Sequence, residues 1–214
     1  MVSETITLPV LVDRLLDQPS AKRRLVALAG PPGVGKTTTA DLLKSMLNER
    51  QGDLADILPM DGFHFDDLVL NARGHRPRKG APHTFDLLGF RATIERVKRD
   101  DGSDIAVPVF DRDLEIARAG ARIIAGDTRI VVVEGNYLLL DEPGWRDLSP
   151  LFDVSVKLVA DESVLEARLT QRWKGYGYEG EAMVAKMEGN DLPNMRLVVR
   201  NSLPADYEIR SDAA

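Results

Sequence analysis

Short unbroken apolar runs alternate along this chain with apolar stripes at helical spacing. Leu25-Val26-Ala27-Leu28-Ala29 and Ile130-Val131-Val132-Val133 carry no polar side chain. A strand covered on both faces reads this way, because both of its side-chain rows meet apolar layers. These runs predict strands over 24–29 and 129–134, and similar patterns predict strands over 55–60 and 153–159. The stripe Ile6, Val10, Leu11, Leu15, Leu16 predicts a docking helix over 4–18, with Pro9 tolerable only in the first turn. Helices are also expected over 36–50, over 86–99 through Leu87, Leu88, Phe90, Ile94 and Val97, over 162–173 and over 181–189. Asp161 is placed to cap the 162–173 helix. Asn190-Asp191-Leu192-Pro193-Asn194 reads as the end of the 181–189 helix. Ile105 to Phe110 reads as a short extended piece interrupted by Pro108, hence at an edge. Residues 195–200 and 206–210 read as two more short strands. Between 64 and 85, charge, Gly and Pro replace the periodicity, so an irregular excursion is expected. Strands and helices in alternation predict an α/β fold on a mostly parallel, doubly wound sheet.

A length of 214 residues fits a single domain over 1–214. The net charge of −6 argues against a nucleic-acid partner. Cysteine is absent, which excludes disulfides and thiolate metal sites and fits a cytoplasmic location. The first ten residues lack a basic stretch followed by an apolar core, so no signal peptide is expected. No apolar run approaches the ~20 residues of a membrane span, so no membrane partner is expected. Monomer and homodimer are equally compatible with the pattern.

Between the 24–29 strand and the next helix stands Gly30-Pro31-Pro32-Gly33-Val34-Gly35-Lys36-Thr37, of the form GxxxxGK(S/T). Glycines at these places let the backbone turn so that successive N–H groups face phosphate oxygens. Lys36 can then reach the β- and γ-phosphates, and the Thr37 hydroxyl can ligate Mg²⁺. The helix N-terminus behind the loop favours anions. The nucleotide contacts expected from residues 22–50 are Gly30, Pro31, Pro32, Gly33, Val34, Gly35, Lys36, Thr37 and Thr38.

Asp61 and Glu134 stand at the ends of two predicted strands. In open α/β sheets the ligand crevice lies at the carboxyl ends of the strands. Each acid could there hold Mg²⁺ or take a proton from an attacking hydroxyl. Either, taken singly, could instead cap a turn. Arg168 and Arg172 lie four apart on one helix face, just before Gly175-Tyr176-Gly177-Tyr178. Guanidinium groups suit phosphate oxygens, and a lid over about 168–190 would exclude water; a solvated helix face is the alternative. Arg73, His75, Arg76, Arg78 and Lys79 form either a solvated loop or a cationic rim over an anionic substrate. His64 is a candidate substrate contact. Arg112 and Glu115 either contact a polar substrate or pair across a turn. His64, His75 and His83 share no zinc-like spacing, and Trp145 and Trp173 are expected to pack.

Together these residues resemble the uridine kinase, phosphoribulokinase and type I pantothenate kinase group of P-loop enzymes, over about 22–210. Met60-Asp61-Gly62-Phe63-His64, Arg73-Gly74 and Arg78-Lys79-Gly80-Ala81-Pro82-His83-Thr84-Phe85-Asp86 are similar to a pantothenate kinase pattern. Val133-Glu134-Gly135-Asn136-Tyr137-Leu138-Leu139 looks like the group's strand end, Glu-Gly followed by a Leu. With Val107 to Arg112 and Gly189 to Asn194 included, the whole looks most similar to bacterial proteins labelled as fructose transport system kinases, a label that names a proposed substrate. The resemblance implies a P-loop NTPase three-layer αβα fold with a small helical lid, and places the Glu134 strand beside the phosphate-loop strand. It implies ATP and Mg²⁺, Asp61 as general base, Glu134 as a magnesium-linked acid, and Arg168 and Arg172 in the lid. One departure is Gly62, where uridine kinases have Ser; the coenzyme A control residues of pantothenate kinases have no counterpart that can be mapped.

The expectation is an ATP- and Mg²⁺-dependent phosphotransferase acting on an alcohol group of a small metabolite, such as a sugar like fructose. A nucleoside or pantothenate-like acceptor is the alternative within that class. A nucleotide switch or regulatory ATPase is the alternative outside it, although no NKxD motif is present and Asp86-Leu87-Leu88-Gly89 opens a helix.

Overall fold

In the computed structural model, which describes residues 3–17 and 22–212, eight strands are found among the described residues. They are β1 (Glu4–Thr5), β2 (Arg24–Ala29), β3 (Ala55–Pro59), β4 (Ile105–Asp111), β5 (Ile116–Ile124), β6 (Ile130–Gly135), β7 (Val154–Val159) and β8 (Tyr207–Arg210). Six of them pair in parallel in the order β1-β8-β7-β2-β6-β3. Parallel neighbours need crossovers, and the helices supply them: α1 (Leu8–Asp17), α2 (Lys36–Gln51), α3 (Asp67–Ala72), α4 (Leu87–Arg99), α5 (Glu162–Gly175), α6 (Gly180–Lys186) and α7 (Leu192–Arg200).

The apolar run of β2 divides its side chains by the two-residue period of a strand. Leu25, Ala27 and Ala29 share one core layer with Phe90, Ile94 and Val97 of α4. Val26 and Leu28 share the other with Leu11 and Leu15 of α1, Leu43 and Leu47 of α2, and Leu165 and Leu169 of α5. Full burial of each such side chain contributes about 1.5–3 kcal/mol. The sheet is thus the middle of three layers.

Four local readings differ from this structure. The N-terminal stripe is a short strand followed by a helix from Leu8. Ile6 lies in the link, where its N–H donates to the Glu208 carbonyl. Residue 18, the expected end of that helix, lies outside the described residues. Asn190 to Asn194 does not end a helix but carries it on, while Ile105 to Phe110 is extended and at an edge as expected, β4 pairing antiparallel with β5 in a separate two-stranded sheet. β5 is mostly exposed, so it carries no apolar signature.

Residues 195–200 are helical rather than extended. The preceding α6 runs through a π-helical turn, Met187–Asp191, directly into α7. Leu192, Met195 and Val198, three apart, are all buried, and this helical stripe outweighs the strand preference of Val198-Val199. Asp161 occupies the N-cap position of α5 without making a cap bond, because its carboxylate accepts from Arg210 at 2.9 Å.

Candidate active site

The loop after β2 turns through Gly33 and Gly35, whose φ values are 84° and 94°. A side chain at Gly33 would also meet Leu169 at 3.1 Å and the Leu165 carbonyl at 3.2 Å. The loop delivers Lys36 and Thr37 into the first turn of α2. Lys36 Nζ donates to the Pro31 carbonyl at 3.0 Å. Burial depresses the Lys36 ammonium to about 8, and the charges of Glu134 and Asp61 oppose that shift.

Glu134 ends β6 between its two neighbours, opposite Leu28 of β2 and Pro59 of β3. It is 6 % exposed. Burial pushes its carboxyl up to about 7, with the Asp61 charge adding to the rise and Lys36 opposing it. Asp61 sits in the 3₁₀ turn Met60–Phe63 that follows β3. Its Oδ2 accepts from Arg112 Nη2 at 3.1 Å. His64 Nδ1 lies 2.8 Å from the Asp61 carbonyl. A carbonyl can only accept, so Nδ1 carries the proton and Nε2 is left as an acceptor. The His64 ring lies 4.0 Å from Phe85 and 4.8 Å from Phe110, and burial lowers its pKa.

One cleft of about 1100 Å³ gathers most of the expected residues. Pro32, Gly33, Gly35, Lys36, Thr37 and Thr38 form its phosphate-loop wall, and Asp61 and Glu134 its floor. His64, Arg112 and Glu115 line it from the excursion and the hairpin, and Arg168 and Arg172 from α5. Gly30, Pro31 and Val34 stand outside that lining. Val34 is a core residue, a side chain at Gly30 would meet the Leu158 carbonyl at 2.8 Å, and Pro31 acts through its carbonyl on Lys36.

Arg112 and Glu115 do not pair with each other. Arg112 holds Asp61, while Glu115 meets Arg76 and Lys79, each at 3.5 Å. Arg168 donates to the hydroxyl and the carbonyl of Ser211 at 3.0 and 2.8 Å. Arg172 donates to Asp191 at 3.1 Å. Trp145 packs in the core, as its type suggests. Trp173 does more than pack: its indole N–H donates to Asp191, its ring stands 5.0 Å from Tyr178, and it lines the cleft.

Lys186, Asn136 and Asn190 also line the cleft without having been singled out for it. Asn190 donates to the Lys79 carbonyl at 2.8 Å, and Asn194 donates to Asn190 at 3.0 Å. Their four-residue spacing, across the π turn into α7, is the one local signal that could have found them.

Among the described residues, no group of three or more His, Asp or Glu side chains is arranged to hold a metal. Mg²⁺ bound by one or two protein oxygens plus phosphate oxygens needs no such cage. Thr37 and Glu134 fit that mode. They are hard oxygen donors, and the buried Glu134 carboxylate, crowded by Asp61, lacks the counter-charge a divalent ion brings.

Gly62 packs under the hairpin so closely that a Cβ would sit 2.3 Å from the Pro108 carbonyl oxygen. Backbone on both sides leaves little room to relax. Gly62→Ser, which introduces the uridine kinase residue, should destabilise the fold by about 1–3 kcal/mol. An unchanged urea midpoint in that variant would show that the hairpin yields freely.

Glu134 also makes a pH-dependent prediction. Its raised pKa means that its contribution to stability is fully present below about 4.5 and lost as pH rises through about 7. Glu134→Gln should therefore stabilise the ligand-free protein at pH 8 by about 1 kcal/mol once the loss of Lys36's partner is counted, and so raise its melting temperature. Near pH 5 the two proteins should melt together. A lower melting temperature for the variant at pH 8 would mean that attraction to Lys36 outweighs desolvation.

A phosphate loop and two strand-end acids on one cleft of a parallel αβα sheet define a P-loop kinase. Among the described residues no helix is long and apolar enough to cross a membrane. The chain belongs to the phosphoribulokinase/uridine kinase family, whose model matches residues 25–204. It is thus a kinase of an ATP-dependent P-loop family that acts on small molecules. A protein of Schizosaccharomyces pombe named "putative uridine kinase" is 33% identical over 196 residues, covering 88% of this chain and 83% of that one. A pantothenate kinase of Ligilactobacillus salivarius is 30% identical over 152 residues, covering 70% of this chain and 49% of that one. The crystal structure of a "putative fructose transport system kinase" from Silicibacter sp. TM1040 superposes with a TM-score of 0.88 at 45% identity, covering 95% of this chain and 98% of that one.

Proposed function

We propose that this kinase transfers the γ-phosphoryl group of ATP, with Mg²⁺, to an alcohol group of a small metabolite in the cytoplasm, with a sugar such as fructose as the leading acceptor. The observation that carries the reading is the convergence of Lys36, Glu134 and Asp61 on one cleft, with Asp61 at the end that His64, Phe85 and Phe110 line. Asp61 takes the proton of the acceptor hydroxyl as its oxygen bonds to the γ-phosphorus. The bond to the β-phosphate oxygen breaks, and ADP leaves. Lys36 and the lid residues Arg168 and Arg172 meet the charge on the transferring group. Thr37 and Glu134 would hold the metal, which would supply positive charge against the phosphates. The lid over 168–190 closes the cleft to water, which would otherwise accept the phosphoryl group.

The sugar reading is supported by the name of the Silicibacter neighbour. It is also supported by Gly62, a departure from the uridine kinase pattern, which has Ser there. The test is a thermal-shift screen of sugars, nucleosides and pantothenate in the presence of a non-hydrolysable ATP analogue. A true acceptor at a hundred times its Kd should stabilise the protein by ~2.7 kcal/mol, a rise of roughly 5–10 °C. Hits are then checked for phosphorylated product. Product from a nucleoside but from no sugar would replace the sugar reading.

A further inference from the structure

We propose that the acceptor is an uncharged, hydroxyl-rich molecule, and that Asp67 and Glu115 exclude anionic acceptors by neutralising Arg76 and Lys79 inside the cleft. This rests on the kinase reading above and names the acceptor class for the same site.

The basic cluster of the 64–85 excursion is neither a solvated loop nor a bare cationic rim. Arg76 Nε meets Asp67 at 2.6 Å, and Lys79 Nζ meets the other oxygen of the same carboxylate at 2.7 Å. Glu115, reaching over from the hairpin, stands 3.5 Å from both cations. Its backbone carbonyl also accepts from Lys79 at 2.7 Å. The Lys79 side chain is only 8% exposed, so its charge depends on these partners rather than on water. The third cation at this end, Arg112, is held by Asp61. Three cations there meet three carboxylates.

The lid end of the cleft is built differently. Arg168 rests on the uncharged oxygens of Ser211. Lys186 Nζ lies over the Trp173 and Tyr178 rings, 5.3 and 5.5 Å from their centroids. Among the described residues, neither has a carboxylate within ion-pair distance. Arg172, also on α5, is held by Asp191. The cleft cations of α5 and α6 thus include two without a carboxylate, whereas Arg76, Lys79 and Arg112 of the excursion and hairpin are all paired.

An acceptor carrying a carboxylate or phosphate would enter beside Asp61 and Glu115, where Arg76, Lys79 and Arg112 each already have a carboxylate partner. It would also set a negative charge beside the carboxylate that must take a proton. A neutral polyol or sugar meets no such penalty. Its hydroxyls can use His64 Nε2 and the Asn136 amide, and its C–H faces can lie on Phe85 and Phe110.

The test uses matched pairs that differ by one anionic group: pantothenol and pantothenate, glycerol and glycerate, fructose and fructose 6-phosphate. Transfer of labelled γ-phosphate is measured for the wild type, Asp67→Asn and Glu115→Gln. In the wild type the neutral member of any pair that reacts should have at least tenfold higher kcat/KM. Each variant should cut that ratio at least threefold, because it leaves Arg76 and Lys79 one carboxylate short. General damage to the fold would lower both members of a pair together and leave the ratio where it was. An anionic member preferred by the wild type, or ratios unchanged in both variants while they melt as the wild type does, would overturn the inference and leave the kinase reading standing. ATP hydrolysis with no transfer to any member would overturn both.

Discussion

Asp61→Asn should lower phosphoryl transfer by roughly 10²–10⁴-fold, the usual worth of a positioned general base. The amide keeps the shape of the carboxylate and loses its ability to accept the hydroxyl proton. Nucleotide affinity should change little, because the phosphate loop and Lys36 are untouched. The fold should also survive. The ion pair lost with Arg112 joins groups whose side chains are 27% and 54% exposed, and such pairs contribute about 0–1 kcal/mol. Steady-state kinetics and nucleotide binding, measured on one preparation, separate the two effects. Undiminished turnover would remove Asp61 from the chemistry and leave its contact with Arg112 as its role.

Lys36→Met should lower turnover by roughly 10²–10³-fold, the scale seen when one preorganised charge-stabilising group is removed. It should also weaken ATP binding. The ammonium is held at the loop by the Pro31 carbonyl and is desolvated there. Its depressed pKa means that its contribution to stability is present above about 10.5 and lost as pH falls through about 8. At pH 7 the ligand-free protein therefore bears the cost of a buried charge that Glu134 and Asp61 offset only in part and an anionic ligand offsets further. The variant should melt no lower than the wild type at pH 7, while ATP should no longer raise its melting temperature. Full protection of the variant by ATP would place the nucleotide away from this loop. Function and stability pull apart at Lys36 in the same way as at Glu134, as expected where a site is preorganised for charge that arrives with its ligands.

Much of this could be read one segment at a time. The apolar runs of β2 and β6 are buried on both faces, so their composition alone carries their state. Gly33 and Gly35 announce a loop because their backbone conformation suits little else. Asp61 and Glu134 could be paired from the sequence because parallel strands open their carboxyl ends at one edge. The failures are as instructive. α7 hid because Val198-Val199 reads locally as a strand and its stripe, Leu192, Met195 and Val198, begins in the segment read as a helix end, and β5 hid because it is mostly exposed. Trp173 was expected to pack, yet its indole also serves Asp191, a contact made across the turn between α5 and α6.

From the sequence alone come the αβα class, the phosphate loop and the two acids beside it, because each rests on backbone preferences and apolar periods that act within a dozen residues. Tertiary structure alone decided the charge of the cleft. Arg76 and Lys79 meet Glu115 only because the hairpin folds over the excursion, and Lys186 stays without a carboxylate only because of where α6 lands. Ion pairing depends on distances of a few ångströms between segments far apart in the chain, and no local pattern of residues records those.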